Sequence, residues 1–263
     1  MNVAITGIGL LSAGGPWEVP EFRPREHILE RKHIKLMTRG VQLGVAGIRL
    51  ALAQRPGWEA IPPERRGIYV GSTPAGSDPA DLAPAFQASM TDGAFDPSAF
   101  GELGLPVVPP LWLVKGLSNN VLGYASAYHD IQGVNGNRCE GRAGGIASVV
   151  DGARAIAEGR ADIVVAGGAD SLIGVDGWLG LPTGEGAAFF VLERASDHPH
   201  APRLVDGGVR FSPDLPGSPP GQHGELGAAA GVIELAERLH AGDRDFTVEV
   251  VDPSGTLVWV EIG

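Results

Sequence analysis

The chain has 263 residues, a formal net charge of −11 at pH 7, 43 % hydrophobic residues and 19 % charged residues. This composition is far from that of disordered chains and predicts a folded core. The single cysteine excludes a disulfide scaffold. The negative charge argues against nucleic-acid or anionic-membrane binding, because both need clustered Lys and Arg. No apolar run approaches the roughly 18 residues that span a bilayer, and no basic residue precedes the apolar N-terminal stretch. We expect a cytoplasmic protein.

The first part of the chain predicts two strands, a helix and a long excursion. Val3–Gly9 and Gly67–Ser72 are β-branched runs that end in small residues, as buried strands often do. Between them, apolar residues recur at three- and four-residue steps over Lys35–Gln54, which predicts an amphipathic helix that ends before Pro56. Pro74–Pro110 is rich in Pro, Gly, Ser and Asp, and predicts an irregular excursion with only short helices.

The middle of the chain contains the clearest helical pattern. Trp112–Asp130 has helical spacing and ends near His129, and Asn135–Gly141 is a polar stretch with glycines. Ala143–Glu158 follows as an amphipathic helix that Gly159 stops. Each glycine inside an exposed helix costs about 1 kcal/mol relative to Ala. The helix contains Gly144, Gly145 and Gly152. We therefore expect another backbone to approach this helix closely.

The rest of the chain alternates strands and helices, which favours an α/β layered fold. The glycine pairs of GGAD and GEGA match neither GxxxxGK nor GxGxxG, so they predict tight turns and not phosphate loops. The sequence shows no short repeat. The predicted elements are a strand at Asp162–Ala166, a turn at Gly167–Gly168, a strand at Gly186–Glu193, a loop at His198–Gly221 with a short strand near Val205–Phe211, a helix at Gly227–Leu239, and a hairpin of Phe246–Val251 and Leu257–Ile262 joined by Asp252–Gly255.

Five segments, in this order, resemble the signature segments of β-ketoacyl synthases, condensing enzymes of the thiolase superfamily. The resemblance implies a thiolase-like fold of five layers, αβαβα, made of two similar halves, and a dimer. Only about 30 residues separate Glu193 from Gly224, which implies an abbreviated C-terminal half: residues 1–197 form the N-terminal half, and residues 198–263 form the shortened half packed with it as one domain. The segments are VAITGIGLLSAGG, GIYVGS, GRADIVVAGGAD, GEGAAFFVLE and GELGAAAG.

The resemblance implies a cysteine nucleophile at the N-terminus of a buried helix, together with two histidines. Alignment without gaps puts the nucleophile's position at Arg142, beyond Cys139, and the second histidine's position at Glu225. A guanidinium cannot carry an acyl group, and a carboxylate repels an enolate oxyanion. The family's lysine corresponds to Pro220, the segment that carries the first histidine is missing, and the glycine-rich gating loop is reduced to Asp252–Gly255. Because the family brings the two aligned positions together, we expect Arg142 and Glu225 to pair.

These departures predict a non-catalytic ketosynthase-like subunit of the chain-length-factor type. Such a subunit forms a heterodimer with an active ketosynthase and shapes the acyl tunnel in type II polyketide or fatty-acid-like biosynthesis, including the synthesis of polyenes. The acyl carrier protein would dock mainly on the partner, because carrier proteins are acidic and this chain is negatively charged. We expect no cofactor, no metal, no nucleic acid and no membrane as partners.

Two other functions remain open from the sequence. The first is an acyltransferase or condensing enzyme that uses Cys139 with His223. Against it, a lone cysteine is commonly an inert buried residue, and His223 lies in a Pro- and Gly-rich segment that predicts a solvated loop. The second is a scaffold protein on the thiolase fold.

Other residues that could carry chemistry give weaker signals. His198 and His200 have a spacing that could bind a metal, but only two ligands stand in a loop without Cys or acidic partners, so we expect no metal site. Trp112, Trp178 and Trp259 are expected to anchor the core or an interface.

Overall fold

The computed structural model describes residues 1–73 and 79–263, and its main feature is an eight-stranded mixed sheet in the order β5-β2-β6-β7-β1-β8-β10-β9. β2 runs parallel to β5 and β6, and the other neighbours in the sheet are antiparallel. The strands are β1 (Val3–Ser12), β2 (Arg66–Gly71), β3 (Met90–Thr91) and β4 (Ala94–Phe95), which form a separate pair, β5 (Asn135–Arg138), β6 (Ile163–Ser171), β7 (Glu185–Arg194), β8 (Arg203–Phe211), β9 (Phe246–Val251) and β10 (Thr256–Ile262).

Helices lie on both faces of the first part of the sheet. α2 and α6 pack on one face, and their buried side chains form a core with alternate residues of β2, β6 and β7. α7 and α9 pack on the opposite face. The helices are α1 (Pro24–His27), α2 (Arg39–Ala53), α3 (Pro79–Ala88), α4 (Pro97–Ala99), α5 (Trp112–Lys115), α6 (Asn120–His129), α7 (Gly144–Ala157), α8 (Asp176–Leu179) and α9 (Ala230–His240).

The sheet folds back over the central helices α7 and α9. Val248, Val258 and Val260 of β9 and β10 belong to the same core as Ile146 of α7 and Phe190 of β7. The layers are therefore helix, sheet, helix, sheet, as expected for the αβαβα arrangement. In the described part of the chain no helix packs on the outer face of β8, β10 and β9, which is where the abbreviated half lacks its outer layer.

The two central helices belong to an internal repeat with an offset of 83 residues, the separation of Arg142 from Glu225. Gly141 and Gly224, which precede these two residues, both have positive φ, and so do Gly159 and Gly242, which follow α7 and α9. After the helices, the neighbours β6, β7 and β1 are repeated by β9, β10 and β8. In the described residues β2 and β5 have no counterparts beside β9, so β9 forms an edge of the sheet.

Four expectations about secondary structure are wrong. Gly167 and Gly168 lie inside β6 and Gly186 lies inside β7, so these glycines are not turns. A Cβ on Gly168 would overlap the carbonyl oxygen of Ala228, so close packing is the reason for glycine there. The predicted Trp112–Asp130 helix is divided into α5 and α6, and the excursion contains the ten-residue α3. The polar stretch, for which no element was predicted, contains β5.

Residues 74–78 of the predicted excursion lie outside the described residues. None of the described helices is long and apolar enough to cross a membrane.

Candidate functional site

Arg142 and Glu225 form an ion pair between the starts of the two central helices. Arg142 lies in the 3-10 turn before α7, and Glu225 lies just before the corresponding turn of α9. Arg142 Nε donates to Glu225 Oε2 at 2.6 Å, and Nη2 contacts the same oxygen. The two side chains are only 12 % and 11 % exposed. The expected pairing of these residues is therefore confirmed.

Neighbouring groups satisfy the remaining hydrogen bonds of the pair. Arg142 Nη1 donates to the carbonyl oxygen of Ser218, and the Arg142 N–H donates to Asp252 Oδ2 at 2.9 Å. Glu225 Oε1 accepts from the Gly227 N–H at 3.0 Å, so it also caps the 3-10 turn before α9. The start of α7 therefore presents a guanidinium whose three nitrogens each donate a hydrogen bond to a protein oxygen and which has no nucleophilic atom for acyl transfer.

A buried carboxyl group that the sequence did not single out lies beside this pair. Asp170, the acid of GGAD, accepts hydrogen bonds from the N–H and Oγ1 of Thr73 at 3.0 and 2.9 Å and from the Ala228 N–H at 2.6 Å. It thereby connects the ends of β2 and β6 to the start of α9. Burial raises the pKa of Asp170 to about 7, against the opposite effect of these hydrogen bonds. Its position shortly after the apolar run of residues 163–166 was the available sequence signal.

Two cavities are lined by residues of this region, one by Asp170 and the other by the ion pair. The larger, about 810 Å³, lies where β2 and β6 end and where α2 and α6 begin, and Asp170 is part of its wall. The smaller, about 370 Å³, lies between α9, β9 and the Ser218–Leu226 segment, and both Arg142 and Glu225 line it. The ion pair therefore borders the smaller cavity and Asp170 the larger one.

The structure does not support Cys139 and His223 as a catalytic couple. Cys139 is exposed, with Asn137 Nδ2 3.1 Å from its Sγ, so the expectation of an inert buried cysteine is wrong. It follows β5, which is an edge strand of the sheet in the described part of the chain. His223 is buried, 3.0 Å from Glu237 Oε2, so the expectation of a solvated loop residue is also wrong. The cavity that His223 lines does not include Cys139.

Comparison with protein-family models and with curated proteins gives no match. Solved structures match along the whole chain. In a structure described as a type II PKS acyl-carrier protein in complex with its ketosynthase, AntDE:AntF, one chain superposes with a TM-score of 0.78 at 14 % identity, with 100 % of this chain and 99 % of that chain covered. The ishigamide ketosynthase/chain length factor superposes with a TM-score of 0.75 at 17 % identity, with 100 % of this chain and 99 % of that chain covered. A β-ketoacyl synthase from Burkholderia phymatum superposes with a TM-score of 0.77 at 16 % identity, with 99 % of this chain and 98 % of that chain covered.

The chain has the β-ketoacyl synthase fold. In this ketosynthase fold the Arg142–Glu225 pair lies between the two central helices, as the resemblance implied. The correspondence of Arg142 to the nucleophile's position and of Glu225 to the histidine's position stays a prediction.

The remaining candidate residues have structural surroundings in this ketosynthase fold. His198 Nε2 lies 3.3 Å from Glu193 Oε2, which also accepts from Arg55 and Thr6, whereas His200 is exposed. In residues 1–73 and 79–263 no group of three or more His, Cys, Asp or Glu side chains is placed to hold a metal ion. His129 ends α6, where burial lowers its pKa to about 4.

The three tryptophans expected to be anchors, of five in the chain, differ in exposure. Trp178 is 80 % exposed at the larger cavity, and Trp112 and Trp259 are partly buried. Trp178 is therefore not a core residue of this chain, and of its two expected roles only that of an interface anchor stays open.

Proposed function

We propose that this chain is a non-catalytic ketosynthase-like subunit, a chain-length factor, which pairs with an active β-ketoacyl synthase in type II polyketide or fatty-acid-like biosynthesis. The observation that carries the proposal is the Arg142–Glu225 ion pair. A condensing enzyme needs a thiolate that accepts the acyl group and donors that stabilise an oxyanion. A guanidinium cannot accept an acyl group, and the guanidinium of Arg142 donates to Glu225 and Ser218 and not to an oxyanion. The ketosynthase/chain length factor among the similar structures supports a role beside an active subunit.

Exposed apolar side chains support the pairing. Monomeric proteins rarely expose large contiguous apolar patches. Segment 103–117 and α8 both expose large apolar side chains, and Leu117, Trp178 and Leu179 share the wall of the larger cavity. The exposed residues of the two segments are Leu103, Leu105, Val107, Leu111, Leu113, Val114, Leu117, Trp178 and Leu179. In addition, β5 leaves one edge of the sheet open, and an open edge can bind another chain.

The larger cavity supports a role in shaping the acyl tunnel. Met37, Val41, Leu117 and Val121 give it an apolar wall, and its volume of about 810 Å³ is within the range of small-molecule sites. In this proposal the acyl carrier protein docks mainly on the ketosynthase partner, since a chain of charge −11 repels an acidic protein. In the same proposal, residues 1–197 and 198–263 are the two halves of one domain, and the protein is cytoplasmic.

Coexpression with the active ketosynthase encoded beside this chain tests the proposal. We expect native mass measurement to find one copy of each subunit in the complex. We also expect the complex to make a product of defined length that the ketosynthase alone does not make. A stable monomer or homodimer that ignores every such ketosynthase would contradict the proposal.

The exposed thiol of Cys139 is the observation that favours the second candidate, an acyltransferase or condensing enzyme. The test is the intact mass of the chain after incubation with an acyl thioester, with Cys139→Ala as the control. We expect no stoichiometric adduct, because His223 is bound to Glu237 beside a cavity that does not include Cys139. A stoichiometric adduct that is lost in Cys139→Ala would overturn the non-catalytic function. Without adduct or partner, the thiolase-fold scaffold would be favoured.

A further inference from the structure

The first repeat shows what a complete half of this fold places beside its central helix. α7 packs against β6, β2 and the edge strand β5. Asp151 on α7 pairs with Arg138 on β5, with Asp151 Oδ2 2.7 Å from Arg138 Nε. The outermost strand of the first half is therefore joined to the central helix by an arginine-carboxylate pair.

Among the residues that the structure describes, the second repeat has no counterparts of β2 and β5. With the offset of 83 residues, Glu234 on α9 corresponds to Asp151. In the described part of the chain β9 has no strand on its outer side. The cavity of about 370 Å³ lies at this place, between α9 and the edge of β9, with Gly231, Glu234, Glu237 and Glu249 in its wall.

The charges around this cavity are unbalanced. Among the described residues Glu234 has no salt bridge, although its counterpart Asp151 has two, with Arg138 and Arg154. Partial burial raises the pKa of Glu234; the positive charge of Arg238 opposes this shift, and the negative charge of Glu237 adds a smaller rise. In the first repeat the position of Glu237 is occupied by Arg154. The other charged or titratable residues of the wall are Arg142 and Glu225, which bind each other, His223, which is bound to Glu237, and Glu249.

The backbone of β9 can accept a further strand. Val251 exchanges hydrogen bonds with Ser218 on the side away from β10. Because backbone groups alternate in direction along a strand, those of Thr247 and Glu249 point to the same open side. Arg238 Nη1 donates to the Thr247 carbonyl oxygen at 3.3 Å, and Ser218 covers the end of the strand at Val251. The middle of the edge, at Glu249, lies beside the cavity.

We propose that an extended, arginine-bearing segment of another polypeptide docks at the β9 edge and across α9, with its guanidinium on Glu234. It takes the space that β2 and β5 occupy in the first half. The outer face of the second sheet is not the docking site, because it carries the exposed polar side chains of Asp206, Arg210 and Glu261. The inference is independent of the ketosynthase partner.

The test is a titration of the isotope-labelled full chain with two synthetic octapeptides, followed by backbone amide shifts in NMR spectra. One peptide alternates valine with arginine, and the other alternates valine with glutamate. We expect the arginine peptide to shift the amides of Thr247, Glu249 and Glu234 and to bind about tenfold more tightly than the glutamate peptide, because a charge-assisted hydrogen bond forms only with the former.

Matched variants separate a specific site from general attraction to an acidic protein. Glu234→Gln and Glu261→Gln remove the same charge, and Glu261 lies on the outer face of β10. We expect Glu234→Gln to weaken binding of the arginine peptide about tenfold and Glu261→Gln to leave it unchanged. Thr247→Pro, which removes an edge N–H while keeping the pairing with β10, should also weaken binding.

Several results would overturn the inference. They are equal affinity for the two peptides, equal effects of Glu234→Gln and Glu261→Gln, shifts confined to another surface, or no binding at about 1 mM peptide. Because no ketosynthase is present in the assay, none of these results bears on the proposed function.

Discussion

At the residue scale, we predict that removing one partner of the Arg142–Glu225 pair strongly lowers the stability of the protein, whereas replacing both partners by apolar residues lowers it less. Removing one partner of a buried pair leaves the other charge unpaired and costs about 3–5 kcal/mol. We therefore expect Arg142→Met and Glu225→Leu each to lower the free energy of unfolding by about this amount, measured by urea denaturation. The double variant should lose less than the sum of the two, because no unpaired charge remains.

The size of the coupling decides whether the pair acts as a unit. A coupling of about 1–3 kcal/mol between the two substitutions is expected for side chains in direct contact. Additive losses would show that the contact of the Arg142 guanidinium with the Ser218 carbonyl oxygen stabilises the protein and the pair does not. An arginine substitution at an exposed pair, Arg160→Met beside Glu158, is the control and should cost less than about 1 kcal/mol.

Asp170 makes stability depend on pH in a predictable direction. Its pKa is about 7 in the folded chain, against an ordinary value of 3.8. Between these values the folded state holds a proton that the unfolded state has released, so stability falls as pH rises from about 4 to about 7. The stability difference between the wild type and Asp170→Asn should fall by at most about 1.4 kcal/mol per pH unit in this window.

His129 acts in the opposite direction over part of the same window. Because its pKa is lowered to about 4, the folded chain gains stability as pH rises from that value to the ordinary 6.5. The effect of His129 is present in the wild type and in Asp170→Asn. It therefore cancels when the unfolding free energies of the two proteins, measured by urea denaturation, are subtracted at each pH. Parallel pH profiles would refute the assignment to Asp170.

At the element scale, two helical glycines are predicted to respond oppositely to alanine. A Cβ on Gly145 in α7 would overlap the carbonyl oxygen of Ala228, whereas a Cβ on Gly123 in α6 has no neighbour within 4 Å. Gly145→Ala should therefore cost about 1–3 kcal/mol of unfolding free energy, as overpacking does. Gly123→Ala should gain about 1 kcal/mol from helix propensity. Thermal and urea unfolding measure both, and a gain at Gly145 would show that the central helices can separate without cost.

Elements with strong local patterns were predictable from the sequence, and elements formed by their neighbours were not. α2, α7 and α9 bury a regular apolar face, so helical spacing located each of them within a few residues. β5 consists of the polar residues Asn135–Arg138, and its pairing with β2 makes it a strand. Within β6, Gly168 packs against the carbonyl oxygen of Ala228 and Gly167 against Ala188 and Phe189 of β7, contacts that no local pattern encodes.

The residues of the candidate site also differ in whether the sequence could predict them. The resemblance to ketosynthases brought Arg142 and Glu225 together because it supplied the three-dimensional relation of the two central helices. Asp170 was missed because its importance arises from burial between Thr73 and Ala228, which are distant in sequence. The burial of His223 likewise depends on Glu237, one helix away.

At the scale of the whole molecule, the shortened half is adapted to solvent on its outer face. Along β9 and β10 the inward residues Val248, Val250, Val258 and Val260 are buried, whereas the outward Glu249 and Glu261 are exposed. An antiparallel sheet with one solvated face shows this alternation. The face without outer helices is therefore a surface that water can solvate. The parts of the molecule that are suited to bind another chain are the two sheet edges and the apolar surface beside the larger cavity.

That apolar surface gives the last prediction, which concerns pairing with the ketosynthase. Trp178 is 80 % exposed beside the larger cavity, and Phe211 is 66 % exposed at the end of β8 on the shortened half. Exposed tryptophans at interfaces are frequent hot spots, whose loss costs about 2 kcal/mol or more. Trp178→Glu should therefore weaken the complex at least about tenfold in a binding titration, while Phe211→Glu should leave it unchanged. The reverse pattern would place the ketosynthase on the shortened half. The roles proposed for the two sheet edges would then also be wrong.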